Sequence, residues 1–293
     1  NLIEALLRSD DIDKAEEVLV MGEVSPSRLE HWISIGKTLD GNEALVSFDI
    51  FKSYVQPGIG TQIDCVNIAT EIARLLNTPA SLERAYAELE ILESYSQSEE
   101  SEEITTKQKV GLARGALQEI KSPDDAQATY LYVANLLSDD MVEKLNNFSS
   151  LSSEEKNTLL ETRNLYIIAL NNFAMSAARS GKNVQDGMDY INIALQIVPG
   201  QSQMLDTRAT VHIALGDHAS AIRDASMAIE ASPNNLSMEL TLVKAYILAG
   251  NFAEARLRIE DIANKNETST SPSAAIRAEL EQLERKIIRG KAA

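Results

Sequence analysis

The chain has 293 residues, of which 44% are apolar and only 5% aromatic, with 7 prolines and 13 glycines. Apolar content carried by alanine and leucine, with few ring side chains, favours closely packed helices over sheets. The formal charge is −17, and it is lopsided: residues 1–160 hold 29 acidic and 13 basic side chains, residues 161–293 hold 15 and 14. An acid surplus of that size repels nucleic acid and anionic membranes, and it suits either plain solubility or a basic protein partner.

No run approaches 18 consecutive apolar residues, so membrane insertion is not expected of this segment. The sequence opens on Asn1 and drops straight into the helical pattern Leu2, Ile3, Leu6, Leu7. That start suggests a soluble segment of a longer or processed polypeptide, cytoplasmic or bacterial extracytoplasmic. The single cysteine, Cys65, forms no internal disulfide and lies in an apolar run, as a buried structural thiol does.

In chain order, Leu2, Ile3 and Leu6 face Ala15, Val18 and Leu19 as a first hairpin. Trp32, Ile35, Gly36 and Leu39 then open a helix, and Ala44, Phe48 and Phe51 follow across the tight turn at Asp40-Gly41-Asn42. Ser25-Pro26 places a capping hydroxyl before a proline at the first helical position, and Ser122-Pro123 repeats the device. Ile68, Ile72, Ala73 and Leu76 pair with Leu82, Ala85, Leu89 and Leu92 across Asn77-Thr78-Pro79. Val110, Ala113 and Leu117 pair with Ala126, Tyr130 and Val133. Turns near residues 10, 41, 78, 122, 182, 216 and 250 leave one long interval of 60 residues. It holds a short helix and loop over 139–153, then a capping box at Ser152 and Glu155. An unbroken helix from there to Ser180 would be about twice the usual repeat length, so a break or bend is expected within it.

The C-terminal half repeats openly. Residues 203–235 superpose on those from 237 onward at a shift of 34, which aligns Gly216 with Gly250, Asp217 with Asn251, Ala221 with Ala255, Ala209 with Val243 and Ala225 with Ile259. One repeat earlier, Leu170, Phe173, Ala174, Ala177 and Gly181 fill the first helix, and Ile191, Ala194 and Pro199 the second, with one extra residue in the turn and Gly187 where an alanine is usual. After a polar loop, Ile276, Leu280, Leu283 and Ile287 line one stripe of a last helix, which would cover the open apolar end of the array.

The spacing of 34, with Ala209, Gly216, Ala221, Ala228 and Pro233 in their slots, resembles the tetratricopeptide repeat (TPR); Trp32, Ile35 and Gly36 fit its opening signature. The resemblance implies an all-α fold: a right-handed α-solenoid of about seven antiparallel helical hairpins with a C-terminal capping helix. The expected organisation is degenerate acidic hairpins over 1–150, three regular repeats over 151–266, and the loop and cap over 267–293.

Few side chains suggest chemistry. His31, His212 and His218 are scattered; His212 reads as core packing and His218 as an exposed turn residue. The run Asp10-Asp11-Ile12-Asp13 looks faintly like the start of a calcium loop but lacks its glycine and distant glutamate, and it coincides with an inter-helix turn. The run Glu99-Glu100-Ser101-Glu102-Glu103 reads as a solvated loop. No phosphate loop or nucleophile elbow is present in the sequence, so no catalysis, cofactor or metal is expected.

The resemblance implies a role: a non-catalytic scaffold that binds a protein or peptide along the concave face made by the first helix of each repeat. Carried over slot by slot, that face comprises Asn171, Asn172, Met175, Arg179, Gln203, Asp206, Thr207, Thr210, Thr241, Lys244 and Ile247. Thr207, Ser237 and Thr241 stand where chaperone-tail binders would need asparagine, lysine and arginine, which argues against that ligand. The alternative is a regulatory or sensor segment acting within a larger enzyme or membrane protein; a small-molecule pocket would have only Met175 and Tyr246 to line it. Arg208 occupies a slot the family fills with leucine. It is expected to pair with an acid such as Asp224 or to extend its stem to water, and Arg208→Leu to raise the melting temperature.

Overall fold

Helix follows helix in the computed structural model, which describes residues 48, 49, 52, 58–96, 104–136, 144, 147–233, 235–267 and 274–290. The first hairpin, the Trp32 helix, the Ser25-Pro26 cap, the acidic run at 99–103 and the loop at 268–273 lie outside the described residues. The helices are α1 (Ile59–Leu76), α2 (Pro79–Ser96), α3 (Ile104–Gln118), α4 (Pro123–Asn135), α5 (Ser153–Ser180), α6 (Val184–Ile197), α7 (Ser202–Leu215), α8 (His218–Ala231), α9 (Leu236–Leu248), α10 (Phe252–Glu267) and α11 (Ala274–Gly290). No strand occurs among the described residues. No described helix is long and apolar enough to cross a membrane. The chain divides into two compact units, residues 1–165 and 166–293, each ordered as an all-α array of neighbouring hairpins.

In the first unit, α1 packs on α2 and α3 on α4. The apolar positions expected to meet do so: Ile68, Ile72, Ala73, Leu82, Ala85, Leu89 and Leu92 share one buried cluster with Cys65 and Val110. Asn77 takes the left-handed conformation (φ 47°) that ends α1, and its N–H returns to Ala73 O at 2.9 Å. Pro123 opens α4, yet the Ser122 hydroxyl makes no cap bond. Ser122 is instead held through its backbone, its N–H donating to Gln118 O at 2.8 Å in the turn that closes α3.

Glycine sets the spacing of α3 and α4. Gly111 and Gly115, one turn apart, lie against Val133 and Tyr130, and a Cβ added at either would fall 2.3 Å from Val133 Cγ2 or 2.5 Å from Tyr130 Cε1. The bare backbone face lets the buried Tyr130 ring approach α3 closely.

A polar hub sits inside this unit. Glu88 on α2 is 1% exposed. Lys52 Nζ donates to both its carboxylate oxygens, at 2.7 and 2.8 Å, and Gln62 Nε2 donates to Oε2 and to the Glu88 backbone carbonyl, each at 2.9 Å. Arg84 Nε lies 3.3 Å from Oε1, pairs with Asp49, and stacks over the Phe48 ring at 5.4 Å. The buried Cys65 thiol is pushed up to about 11, first by burial and then by the Glu88 charge, so it stays an unreactive thiol.

Gln108 on α3 is a fault in the same core. It is 0% exposed, and neither its Nε2 nor its Oε1 has a hydrogen-bond partner among the described residues. An unpaired buried amide costs stability, so Gln108→Leu is expected to stabilise the chain by about 1–2 kcal/mol. Urea unfolding followed by circular dichroism checks this; a loss of stability would mean that the amide is paired after all.

The second unit carries the regular array. The C-terminal N–H groups of α7 and α9 close in the same way 34 residues apart. Gly216 N–H donates to Ile213 O at 3.1 Å and Asp217 N–H to His212 O at 2.9 Å, while Gly250 N–H donates to Ile247 O at 3.1 Å and Asn251 N–H to Tyr246 O at 2.9 Å. Both glycines are left-handed, with φ 79° and 77°, where a Cβ is disfavoured. The side chain of Asp217 then caps α8 through Ser220 N–H at 3.1 Å, and Asn235 caps α9. Ala174, Ala177, Ala194, Ala209, Ala221, Ala225 and Ala228 are all fully buried, as the small-residue slots require. At the end, Leu280, Leu283 and Ile287 of α11 bury against Leu240, Val243, Ile259 and Ile262, so α11 caps the array.

The expected break in the long helix is absent: α5 runs continuously for 28 residues. Its start is the capping box read from sequence, with Ser152 N–H donating to Glu155 Oε2 at 2.8 Å and Glu155 N–H to Ser152 Oγ at 3.2 Å. No proline interrupts the segment, and strong helix formers such as Leu159, Leu165, Ala169 and Leu170 carry it through.

Candidate functional site

Three successive first helices, the C-terminal half of α5, then α7 and α9, supply the eleven residues expected on a ligand-binding face. The residues fall into two classes. Thr207 is 1% exposed and packs in the interior; Thr241 is buried, and Ile247 packs against the C-terminal core cluster. Arg179, Gln203 and Lys244 are exposed, while Asn171, Asn172, Met175 and Thr210 are half-buried.

Hydrogen bonds fix several of these side chains locally. Asn171 Nδ2 donates to Asn172 Oδ1 at 3.4 Å, and Thr210 Oγ1 donates to Asp206 O at 3.0 Å, one turn back. Asp206 holds the centre. It is 9% exposed, and its Oδ1 is closed from solvent with no hydrogen-bond partner among the described residues. Thr241, from the next first helix, lies within hydrogen-bonding reach of the carboxylate while its hydroxyl also donates to its own helix at Ser237 O, 3.2 Å away. One hydroxyl proton shared between two acceptors leaves each bond incomplete.

Burial raises the Asp206 carboxyl above the ordinary aspartate range; the Thr241 bond and the charges of Lys244 and Arg179 pull it down without cancelling the effect. Arg179, Asp206 and Lys244 are thus electrostatically coupled across three helices.

A second polar group lies between α7 and α8, behind this surface. Arg208 makes a two-pronged pair with Asp224, Nε to Oδ2 at 2.6 Å and Nη2 to Oδ1 at 3.0 Å, and a third bond from Nη1 to Asn192 Oδ1 at 3.2 Å. The pairing with Asp224 follows the expectation, but the expected gain on Arg208→Leu does not survive it. Asp224 is only 3% exposed in its side chain, so losing Arg208 would strand a buried carboxylate.

His212 sits beside the same carboxylate, Nε2 3.6 Å from Asp224 Oδ2 and Nδ1 3.5 Å from Asp217 Oδ2. Burial lowers its pKa below the usual histidine value; Asp224 and Asp217 work against that, Arg208 and Arg223 with it. His212 therefore packs in the hairpin as expected. His218 is half-buried rather than exposed, because it opens α8 instead of standing in the turn. No group of three or more histidine, cysteine, aspartate or glutamate side chains is placed to hold a metal among the described residues.

The inter-helix slot of Arg208 and Asp224 recurs along the array. One repeat earlier the equivalent positions hold Phe173 and Tyr190, whose rings meet edge to face with centroids 4.9 Å apart at 83°. One repeat later Arg258 takes the place of Asp224 and pairs with the buried Glu239, 3.3 Å away. Spacing alone could have aligned these slots, although their contents differ in every repeat.

Residues 212–280 match the family model described as tetratricopeptide repeat. No curated protein sequence matches the chain. Among solved structures, the chain is similar to the TPR2AB domain of yeast Sti1 in a complex with pHSP90, at 14% identity and a TM-score of 0.37, over 90% of this chain and 99% of that one. It is also similar to the human IFIT1 dimer with m7Gppp-AAAA, at 15% identity and a TM-score of 0.35, over 89% of this chain and 64% of that one. Residues 212–280 thus match the tetratricopeptide repeat, and the paired glycine turns 34 residues apart and the fully buried alanines in the contact slots agree with that match.

Proposed function

We propose that the chain is a protein-interaction scaffold whose second unit holds a peptide or protein segment on the surface shared by α5, α7 and α9. The observation that carries this reading is the placement of the exposed Arg179 and Lys244 on the first helices before and after the one that holds the buried Asp206. Charges coupled across successive repeats form a surface that no single hairpin possesses, which is how repeat arrays build extended binding faces.

Met175, Gln203 and the Asn171–Asn172 pair extend the same surface with exposed or half-buried groups able to exchange hydrogen bonds with a peptide backbone.

The test is a pull-down with wild type and the Asn172→Ala/Lys244→Glu double variant, each checked for helicity. The variant is expected to lose a protein that wild type retains, and a paired variant in the first unit, Lys109→Glu, should keep it. If the double variant retains every protein that wild type captures, this surface is not the binding face.

A further inference from the structure

A cap at the end of a repeat array ordinarily turns a polar outer face to water, because nothing further stacks on it. Helix α11 does only half of this. Its Leu280, Leu283 and Ile287 close the core of the second unit, yet Ile288, the next residue along, stands 63% exposed. Beside it runs a groove of about 320 Å³ between α10 and α11. The buried Ile259 and Ile287 line its floor, Arg256 and Glu260 its α10 wall, and Glu284 and Ile288 its α11 wall.

An apolar hole and an apolar knob thus lie side by side on one surface. The charges have the same self-complementary layout. Arg256 and Glu284 stand on opposite walls, both exposed, and neither has an ion-pair partner among the described residues. A cation on one wall and an anion on the other are matched by a second copy whenever a two-fold axis exchanges the walls. A foreign segment would need both signs at the right spacing as well as an apolar side chain.

We propose that the second unit self-associates through this end of the array, with α10 and α11 of one copy laid face to face on α11 and α10 of the other. An axis running along the groove sets each α10 over the other copy's α11. Arg256 of each copy then meets Glu284 of the other, and each Ile288 comes over the opposing groove. The four helices enclose the apolar floors that a single copy leaves open, as the helices of a bundle do. The surface shared by α5, α7 and α9 contributes no groove residue, so the dimer carries two free copies of it.

The test is sedimentation velocity of the full chain from dilute solution up to about 100 µM, a range suited to a contact of modest size. Wild type is expected to pass from monomer to dimer as concentration rises. Ile288→Glu should abolish the dimer; the side chain is exposed, so the fold is kept, which circular dichroism checks. Arg256→Glu and Glu284→Arg should each weaken self-association about tenfold or more, because each sets like charges against one another at both contacts. An equimolar mixture of these two variants should recover the wild-type dimer level, since opposite charges then meet at both contacts.

A wild type that stays monomeric at the highest concentration overturns the proposal and leaves the groove to a segment of another protein. A dimer untouched by Ile288→Glu overturns it too, by placing the contact elsewhere. If the mixture dimerises no better than either variant alone, Arg256 does not meet Glu284 across a two-fold axis and the proposed arrangement falls.

Discussion

Replacing Gly111 and Gly115 together by alanine is expected to destabilise the first unit by about 3 kcal/mol, although the same change on an open helix would add stability. The gain from propensity is about 1 kcal/mol per site at most, because alanine restricts the unfolded chain and favours the helix. The cost is steric. At Gly115 a Cβ would stand 2.5, 2.9 and 3.0 Å from three atoms of the Tyr130 ring, and at Gly111 it would stand 2.3 Å from Val133 Cγ2. Tyr130 is a rigid ring buried to 1%, and Val133 is a branched side chain with no exposure, so neither neighbour can swing into solvent. Relief has to come from moving α4 away from α3, which opens the contact along its length.

Gly60→Ala is the internal control. Gly60 also lies in a helix, α1, but a Cβ there meets nothing within 4 Å. It should leave stability unchanged or raise it slightly. Urea unfolding of both variants separates the two effects. If the Gly111/Gly115 variant proves as stable as Gly60→Ala, the close approach of α3 and α4 is not rigid.

These glycines show what could not be read from the sequence. The apolar partners Val110, Ala113, Leu117, Ala126, Tyr130 and Val133 were legible, because helical spacing places them on facing stripes. That the helices meet across a glycine face depends on which stripe rotates inward, and 3.6-residue periodicity leaves that rotation loose. The regular repeats were the most legible part. A 34-residue shift aligned Gly216 with Gly250, and the structure gives both the same left-handed turn and the same two bonds.

Polar interiors were the least legible. Glu88 reads as one more surface acid on α2, yet it anchors Lys52, 36 residues earlier, and Gln62, 26 residues earlier. Charge pairs at such separations leave no periodic trace. The candidate face was legible as a set of slots, but exposure within it was not: Thr207 and Asp206 are neighbours in sequence, and only the packing of α9 against α7 shows that both are buried. The Ser122 cap and the exposed His218 failed for a local reason, since one turn of backbone decides whether a side chain points at a helix end or away from it.

Arg208→Leu is the sharper case, because its expected sign reverses once burial is known. A leucine suits the family's slot, and on that ground alone the change would stabilise. Asp224, however, would keep its charge with its side chain 3% exposed and lose two bonds of 2.6 and 3.0 Å. Removing one member of a buried ion pair costs about 3–5 kcal/mol, far more than a leucine gains at a site already one-quarter exposed. The net loss should be about 3 kcal/mol, with the helices still formed. Arg208→Leu/Asp224→Leu removes both charges and should recover most of it, since Phe173 and Tyr190 already fill the equivalent slot with apolar contact one repeat earlier.

His212 supplies a pH signature. In wild type its folded pKa lies below the unfolded value of 6.5, so this group's contribution is present above that value and is lost as pH falls through the folded pKa. In Arg208→Leu burial, the largest depressing cause, remains, but the smaller push from the guanidinium is gone, and Asp224 Oδ2, 3.6 Å from Nε2, is left facing the imidazole. The His212 pKa should then rise; if it passes the unfolded value the sign inverts, and the stabilisation is full below 6.5 and lost as pH rises through the folded pKa. The deficit of Arg208→Leu against wild type should therefore shrink on acidification from neutral pH, and the double variant should show no such change. A deficit that stays constant with pH, or a single variant more stable than wild type, would mean that Asp224 does not depend on Arg208 for its charge.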